Sequence, residues 1–225
     1  MIQRSGYDKR RDQSDRRRIR KDRDTGRVKH SAHRWTPDVP MVVPEINSEH
    51  FDVIKDQKKR LGTTRGFIAV KPNCSIQSYA PCLAAWKEFG PKEVVATTYQ
   101  AISGAGKTFK DWPEMVENII PYIGGEEEKS EQEPLRVLGK VENGEIVKAQ
   151  LPKITCQCLR VPVLNGHTAA VFINFEKKPT KEQLIEKTCV IQRFPTGRKP
   201  SKCTKAVYSV SGRGQPSTGE TGCRL

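Results

Sequence analysis

Apolar positions recur at two different periods along this chain, and polar or proline-rich stretches separate them. Phe67-Ile-Ala-Val70 is a short apolar run with β-branched members, which predicts a buried strand. Pro72 closes it, because proline offers no N–H to a ladder and holds its neighbour extended. Beyond Cys74, the spacing of Ile76, Tyr79, Ala80, Leu83, Ala84 and Phe89 predicts a helix. Upstream, Val42–Val43 is a short extended piece between prolines. Asn47 or Ser48 then caps a predicted helix carrying Phe51, Ile54 and Leu61, with Gly62 as its stop.

Downstream, Glu93–Gln100 predicts a second strand that runs into the glycine-rich stretch Ile102-Ser-Gly-Ala-Gly-Lys-Thr-Phe109. Residues 111–140 show no clean period, and Asn143-Gly144 marks a tight turn. Ile154–Val161 and Thr168–Phe175 predict an antiparallel pair across the turn Leu164-Asn-Gly-His167. Thr180-Lys-Glu-Gln183 is a capping box that opens a helix through Ile185 and Cys189. The order implies a fragment with a parallel edge, α/β in character, joined to an α+β domain.

The apolar pattern vanishes at both ends. Residues 1–30 hold almost no aliphatic side chains and predict a basic, disordered tail; residues 194–225 are basic, polar and low in complexity. The net charge of +14 on 225 residues suggests a nucleic-acid partner at first sight. Its distribution argues otherwise. Residues 1–34 carry 13 Lys/Arg and 5 Asp, and residues 193–225 carry 7 and a single Glu, leaving 20 basic and 20 acidic residues between them. A neutral body with two basic ends is expected, and a nuclear-targeting or RNA-binding arm is the alternative reading of the first end.

The seven cysteines form no CxxC pair and no metal-ligand spacing, so no metal is expected. Their odd number, with no signal segment and no apolar run long enough to span a bilayer, points to a reducing cytoplasm and no membrane partner. Cys156 and Cys158, two apart in a predicted strand, share one face rather than bridge.

Three stretches can carry chemistry. Cys74 falls between the end of a strand and the first turn of a helix, where the helix N-terminus stabilises a thiolate; the alternative is a structural cysteine. His167 opens a strand after the Asn165-Gly166 turn, and Arg160 lies seven residues earlier. Thiolate, imidazole and guanidinium together make a workable acyl-transfer site. The rival is a nucleotide-phosphate loop at Ala101-Ile-Ser-Gly-Ala-Gly-Lys-Thr108, weakened because Ala101 replaces its first glycine. Glu126-Glu-Glu-Lys129 on its own reads as a solvated charged face.

Taken together, these motifs resemble aspartate-semialdehyde dehydrogenases over roughly residues 31–195. Pro72-Asn-Cys-Ser75 resembles the family's nucleophile motif, and Tyr99-Gln-Ala-Ile-Ser-Gly-Ala-Gly106 its substrate-orienting and nicotinamide segment. Arg160-Val-Pro-Val-Leu-Asn-Gly-His167 resembles its arginine–histidine segment. The spacer between Asn47 and Cys74 is similar to that of the archaeal and fungal branch.

The resemblance implies an NADP-binding Rossmann-like domain, present here as a remnant over 31–74. It is followed by an α+β catalytic and dimerisation domain over 75–193, with a mixed, largely antiparallel sheet. It implies reduction of L-aspartyl 4-phosphate to L-aspartate 4-semialdehyde with NADPH, in the pathway to threonine, methionine, isoleucine and lysine, by a homodimer or homotetramer. By resemblance Cys74 would form the thioester, His167 would be the general acid/base and Gln100 would orient the substrate. Arg160 and Glu126 would hold its amino-acid end, Lys129 and Arg34 its phosphate, while Asn73, Ser103 and Gly104 would face the cofactor. Nothing resembling the family's glycine-rich dinucleotide loop precedes Ser31, and the composition shifts at both boundaries. A truncated, misspliced or frame-shifted reading with weak NADP binding and weak activity, or an inactive dimerisation module, is therefore expected.

Overall fold

The computed structural model describes residues 33–191; both predicted tails, with Cys203 and Cys223, lie outside them. Pro44 opens the short helix α1 (Pro44–Asn47), where a missing N–H costs nothing. Ser48–Val53 continues as a 3₁₀ turn, and α2 (Ile54–Leu61) ends at Gly62 in the left-handed region, as the sequence predicts. The predicted capping side chain does something else. Asn47 is buried: its Oδ1 accepts from Val43 N at 2.9 Å, and its Nδ2 donates to Met41 O at 2.9 Å.

After a 3₁₀ turn over Ser75–Ser78 come α3 (Ala80–Ala85), β1 (Pro91–Gln100) and α4 (Glu126–Val137). The hairpin β2 (Lys140–Glu142) and β3 (Glu145–Val147), the strands β4 (Lys153–Arg160) and β5 (His167–Phe175), and α5 (Lys181–Ile191) complete the described residues. Thr180 and Gln183 make the predicted capping box, each accepting the other's backbone N–H.

The described residues form two compact units, one built from residues 33–72 with Arg136–Ala149, the other from Asn73–Leu135 and residues 150–191. In the first unit, buried polar side chains bond to the main chain. Gln57 Nε2 donates to Asp38 O and Ile68 O, and its Oε1 accepts from Ile68 N. Arg136 donates to the carbonyls of Thr36, Pro37, Val39 and Ile146. The predicted strand over Phe67–Val70 reduces to one parallel bridge, Met41 to Val70. Pro40, Pro44 and Pro72 flank both segments, and each removes a donor that a longer ladder would need.

The second unit holds a mixed three-stranded sheet in the order β4-β1-β5, with β1 parallel to β4 and antiparallel to β5. The predicted β4–β5 pair is corrected by this order, because β1 lies between them. The turn after β4 crosses the end of β1 instead, with Ile102 N donating to Val163 O and Ser103 N to Leu164 O. The outer edge of β4 is occupied from another direction. Cys156 N donates to Glu131 Oε1 at 3.0 Å and Cys158 N to Glu127 Oε1 at 3.2 Å, while Arg160 exchanges two backbone hydrogen bonds with Ile120.

Helix α4 lies in the stretch the sequence leaves without a period. It contains Pro134, which has no N–H to give the carbonyl of Ser130 four residues earlier. The Tyr79 hydroxyl donates to that freed carbonyl at 2.6 Å. Elsewhere in the unit, Trp86 Nε1 donates to Leu184 O and Thr188 Oγ1, tying α5 to a cluster of Cys82, Trp86, Phe89, Ile173, Phe175 and Leu184.

Candidate active site

One level of the sheet gathers the chemistry. Gln100, the last residue of β1, is in register with Arg160, the last of β4, and with His167, the first of β5. Residues in register across a sheet project from the same face. Sequence spacing placed Arg160 and His167 on adjacent strands; the fold instead sets them on either side of Gln100.

Cys74 reaches this level from the loop before α3, with its Sγ exposed and 3.2 Å from His167 Nε2. The predicted helix behind the thiol begins later than expected: a four-residue 3₁₀ turn follows Cys74, and α3 starts only at Ala80. So short a turn aligns few peptide dipoles, and the imidazole takes over as the group facing the sulfur. The hydrogen bond with Cys74 raises the ring's pKa above the usual 6.5, against the opposing effect of burial. Ala101 N donates to the bare Nδ1 at 3.2 Å, while a backbone hydrogen bond with Gly166 favours the protonated ring. A ring served in both states suits proton transfer in both directions.

Arg160 is buried and donates from Nη1 to Ala101 O at 2.8 Å. Burial lowers its pKa, while the charges of Glu126 and then Cys74 oppose that shift. Gln100 is buried, and its Nε2 donates to Thr98 Oγ1 at 3.3 Å. The loop after β1 closes over these groups. A Cβ on Gly104 would stand 2.9 Å from Arg160 Nη1 and 3.0 Å from His167 Nε2, so only a glycine backbone lies there without displacing them. Ser103, beside it, is exposed and held through its backbone N–H to Leu164 O.

Glu126 and Lys129 are not a solvated face. Glu126 Oε1 accepts from Lys129 Nζ at 2.7 Å and its Oε2 from Asn73 Nδ2 at 2.9 Å. Asn73 is thereby turned toward α4, and its Oδ1 accepts from Ser75 N at 2.6 Å. Arg34 belongs to the first unit, where its Nε donates to Lys71 O at 3.1 Å. The rival phosphate loop does not form: Ile102–Ala105 is a 3₁₀ turn, the next element is another short 3₁₀ turn over Pro113–Met115, and Lys107 Nζ lies 4.7 Å above the Trp112 ring. Among the described residues no cluster of side chains could hold a metal ion.

Sequence reasoning missed Ser130 and Glu133, which sit with Glu126 at helical spacing on the side of α4 that meets the Cys74 loop. The signal was there as 126, 130, 133, hidden by the acidic run and by Pro134.

Comparison with known proteins matches this arrangement. Residues 82–200 match the family model for the semialdehyde dehydrogenase dimerisation domain. The chain belongs to the aspartate-semialdehyde dehydrogenase family. It is 40% identical over 153 residues to the aspartate-semialdehyde dehydrogenase of Archaeoglobus fulgidus, covering 68% of this chain and 44% of that protein. It is 34% identical over 196 residues to that of Cryptococcus neoformans, covering 82% of this chain and 53% of that protein. The crystal structure of aspartate semialdehyde dehydrogenase with NADP from Candida albicans superposes with a TM-score of 0.60 at 35% identity, covering 72% of this chain and 47% of that one. The chain therefore spans about half the length of the family members it matches.

Proposed function

We propose that this chain carries the catalytic and dimerisation machinery of an NADP-dependent aspartate-semialdehyde dehydrogenase. The reaction is reduction of L-aspartyl 4-phosphate to L-aspartate 4-semialdehyde in cytoplasmic amino-acid biosynthesis. The observation that carries this reading is the exposed Cys74 Sγ held 3.2 Å from His167 Nε2, at the end of a sheet that also presents Arg160 and Gln100. Cys74 thiolate attacks the acyl carbon, the carbon–oxygen bond to phosphate breaks, and a thioester forms on Sγ. Lys129 stands ready to neutralise the departing phosphate, a role the family resemblance also gives Arg34. Arg160 grips the substrate carboxylate, Glu126 its ammonium, and buried Gln100 orients the acyl group, which is positioning rather than bond making.

By family resemblance Ser103 and Gly104 would face the nicotinamide end of NADP, and the missing Cβ at Gly104 lets that backbone lie directly against Arg160 and His167. Bound there, the cofactor would supply the hydride that reduces the thioester carbonyl. His167 gives the developing oxyanion a proton and recovers one as the carbon–sulfur bond breaks and the thiolate is restored. Beyond Ser103 and Gly104, the Rossmann-like reading of the segment before Cys74 rests on resemblance alone.

The outer face of the sheet supports assembly as a homodimer or a higher homo-oligomer. Val95 and Phe172 pair across β1 and β5 and are 52% and 69% exposed, with Tyr99 beside them. Large apolar side chains left open on a sheet face mark an interaction surface, and in a family with a dimerisation domain the fitting partner is a second copy.

The test is acylation without cofactor. The full chain is mixed with L-aspartyl 4-phosphate generated in situ, and the adduct is mapped by mass spectrometry. A hydroxylamine-labile adduct on Cys74, absent from Cys74→Ala, is expected. No adduct, or an adduct elsewhere, would overturn the reading.

A further inference from the structure

The Cys74 loop is fastened to α4 by groups with no assigned role in the chemistry. The residue before the thiol is the key one. Asn73 N donates to Glu133 Oε2 at 2.5 Å, and Glu133 is 0% exposed. A buried carboxylate is costly and persists only where it is bonded, so this one is committed to holding main chain. The residue after the thiol is fastened too: Ser75 Oγ lies 3.0 Å from Ser130 Oγ, and Ser75 N donates to Asn73 Oδ1. Cys74, which faces His167, thus sits in a loop whose neighbours on both sides are held by one side of one helix.

We propose that Glu133 is a positioning residue for the nucleophile. Its reach from α4 sets the height of the Pro72–Asn73 peptide, one residue before the thiol, and so places Sγ at hydrogen-bond distance from His167 Nε2. The proposal rests on reading Cys74 as the acyl-accepting thiol and deepens it. It assigns Glu133 no contact with substrate or cofactor. What matters is the length of the side chain and its acceptor oxygen, rather than its charge. A main-chain N–H fixed at both donor and acceptor leaves the following side chain few ways to drift, and sub-ångström placement decides whether a thiol and an imidazole share a proton.

Two isolated changes separate reach from charge. Glu133→Gln keeps the length and an acceptor oxygen; Glu133→Asp keeps the charge but withdraws the oxygen by about one carbon–carbon bond, roughly 1.5 Å. The readout is the pH–rate profile of Cys74 alkylation by iodoacetamide in the full chain, followed on the Cys74 peptide. Slow hydrogen exchange at the Asn73 amide is read alongside it.

The expected result is a profile within about twofold of the unsubstituted chain for Glu133→Gln. For Glu133→Asp a roughly tenfold slower rate near neutral pH is expected, with a midpoint shifted toward that of His167→Ala and faster exchange at Asn73. A profile for Glu133→Asp that matches the unsubstituted chain would overturn the proposal. So would a folded Glu133→Gln as impaired as the shorter variant. If Glu133→Asp fails to fold, the Gln variant and the Asn73 amide decide alone: impaired labelling or lost protection in a folded Glu133→Gln overturns it. Selective labelling of Cys74 in the unsubstituted chain, lost in His167→Ala, tests the underlying reading separately.

Discussion

A thiol and an imidazole meet within hydrogen-bond distance, and a glycine backbone packs against the imidazole where no side chain would fit. Adding a methyl at Gly104 should push against Arg160 and His167 together, at a cost of ~1–3 kcal/mol from overpacking. Gly104→Ala is therefore expected to melt a few degrees lower and to lose the fast alkylation of Cys74; unchanged labelling would show that the loop yields freely.

The two histidines with resolved shifts push stability in opposite directions. Burial lowers the pKa of His50, whose ring sits between Asn47 Nδ2 and Gly139 O. Below its usual 6.5 the unfolded chain binds a proton there that the folded chain refuses, so this residue makes the fold weaker as pH falls. His167 does the reverse. Its raised pKa adds stability that is complete below 6.5 and is lost as pH climbs through the raised value. Thermal melts between about pH 7 and about pH 5 should show a flatter acid limb for His50→Gln than for the unsubstituted chain.

At the scale of elements, what the sequence revealed depended on how local the cause was. The Thr180–Gln183 box, the Gly62 stop and the Asn143-Gly144 hairpin turn act within a few residues, and all three are formed. The order of the sheet was not legible, because an edge strand and a central strand differ in partners far away in sequence. β4 reads as a strand either way, and only the glutamates of α4 show that its outer N–H groups are already taken. Helix α4 itself was hidden by Pro134, whose missing hydrogen bond is made good by Tyr79 from another element. Removing that hydroxyl strands a buried carbonyl, so Tyr79→Phe is expected to cost ~1–3 kcal/mol in chemical denaturation. A neutral result would mean that water replaces the phenol. For the site the same rule held: Cys74, His167, Arg160 and Gln100 were legible as motifs, whereas Glu133 and Ser130 matter through a contact some sixty residues away and were not.

For the whole molecule, family membership rests on sequence and fold together, and the chain spans about half of each relative. The open face around Phe172 predicts self-association: Phe172→Glu should shift the chain toward monomer in light scattering without altering its circular dichroism. A dimer that survives the charge would place the interface elsewhere. The proposed acyl-transfer chemistry turns, in the end, on whether Cys74 and His167 work as a pair. The direct measurement is alkylation of the full chain at neutral pH, quantified cysteine by cysteine. Cys74 should be labelled far ahead of buried Cys82, Cys156 and Cys158, and His167→Asn should slow it at least tenfold while leaving the others unchanged. Cys74 labelling that is no faster than the buried thiols, or that ignores His167, would contradict the pairing.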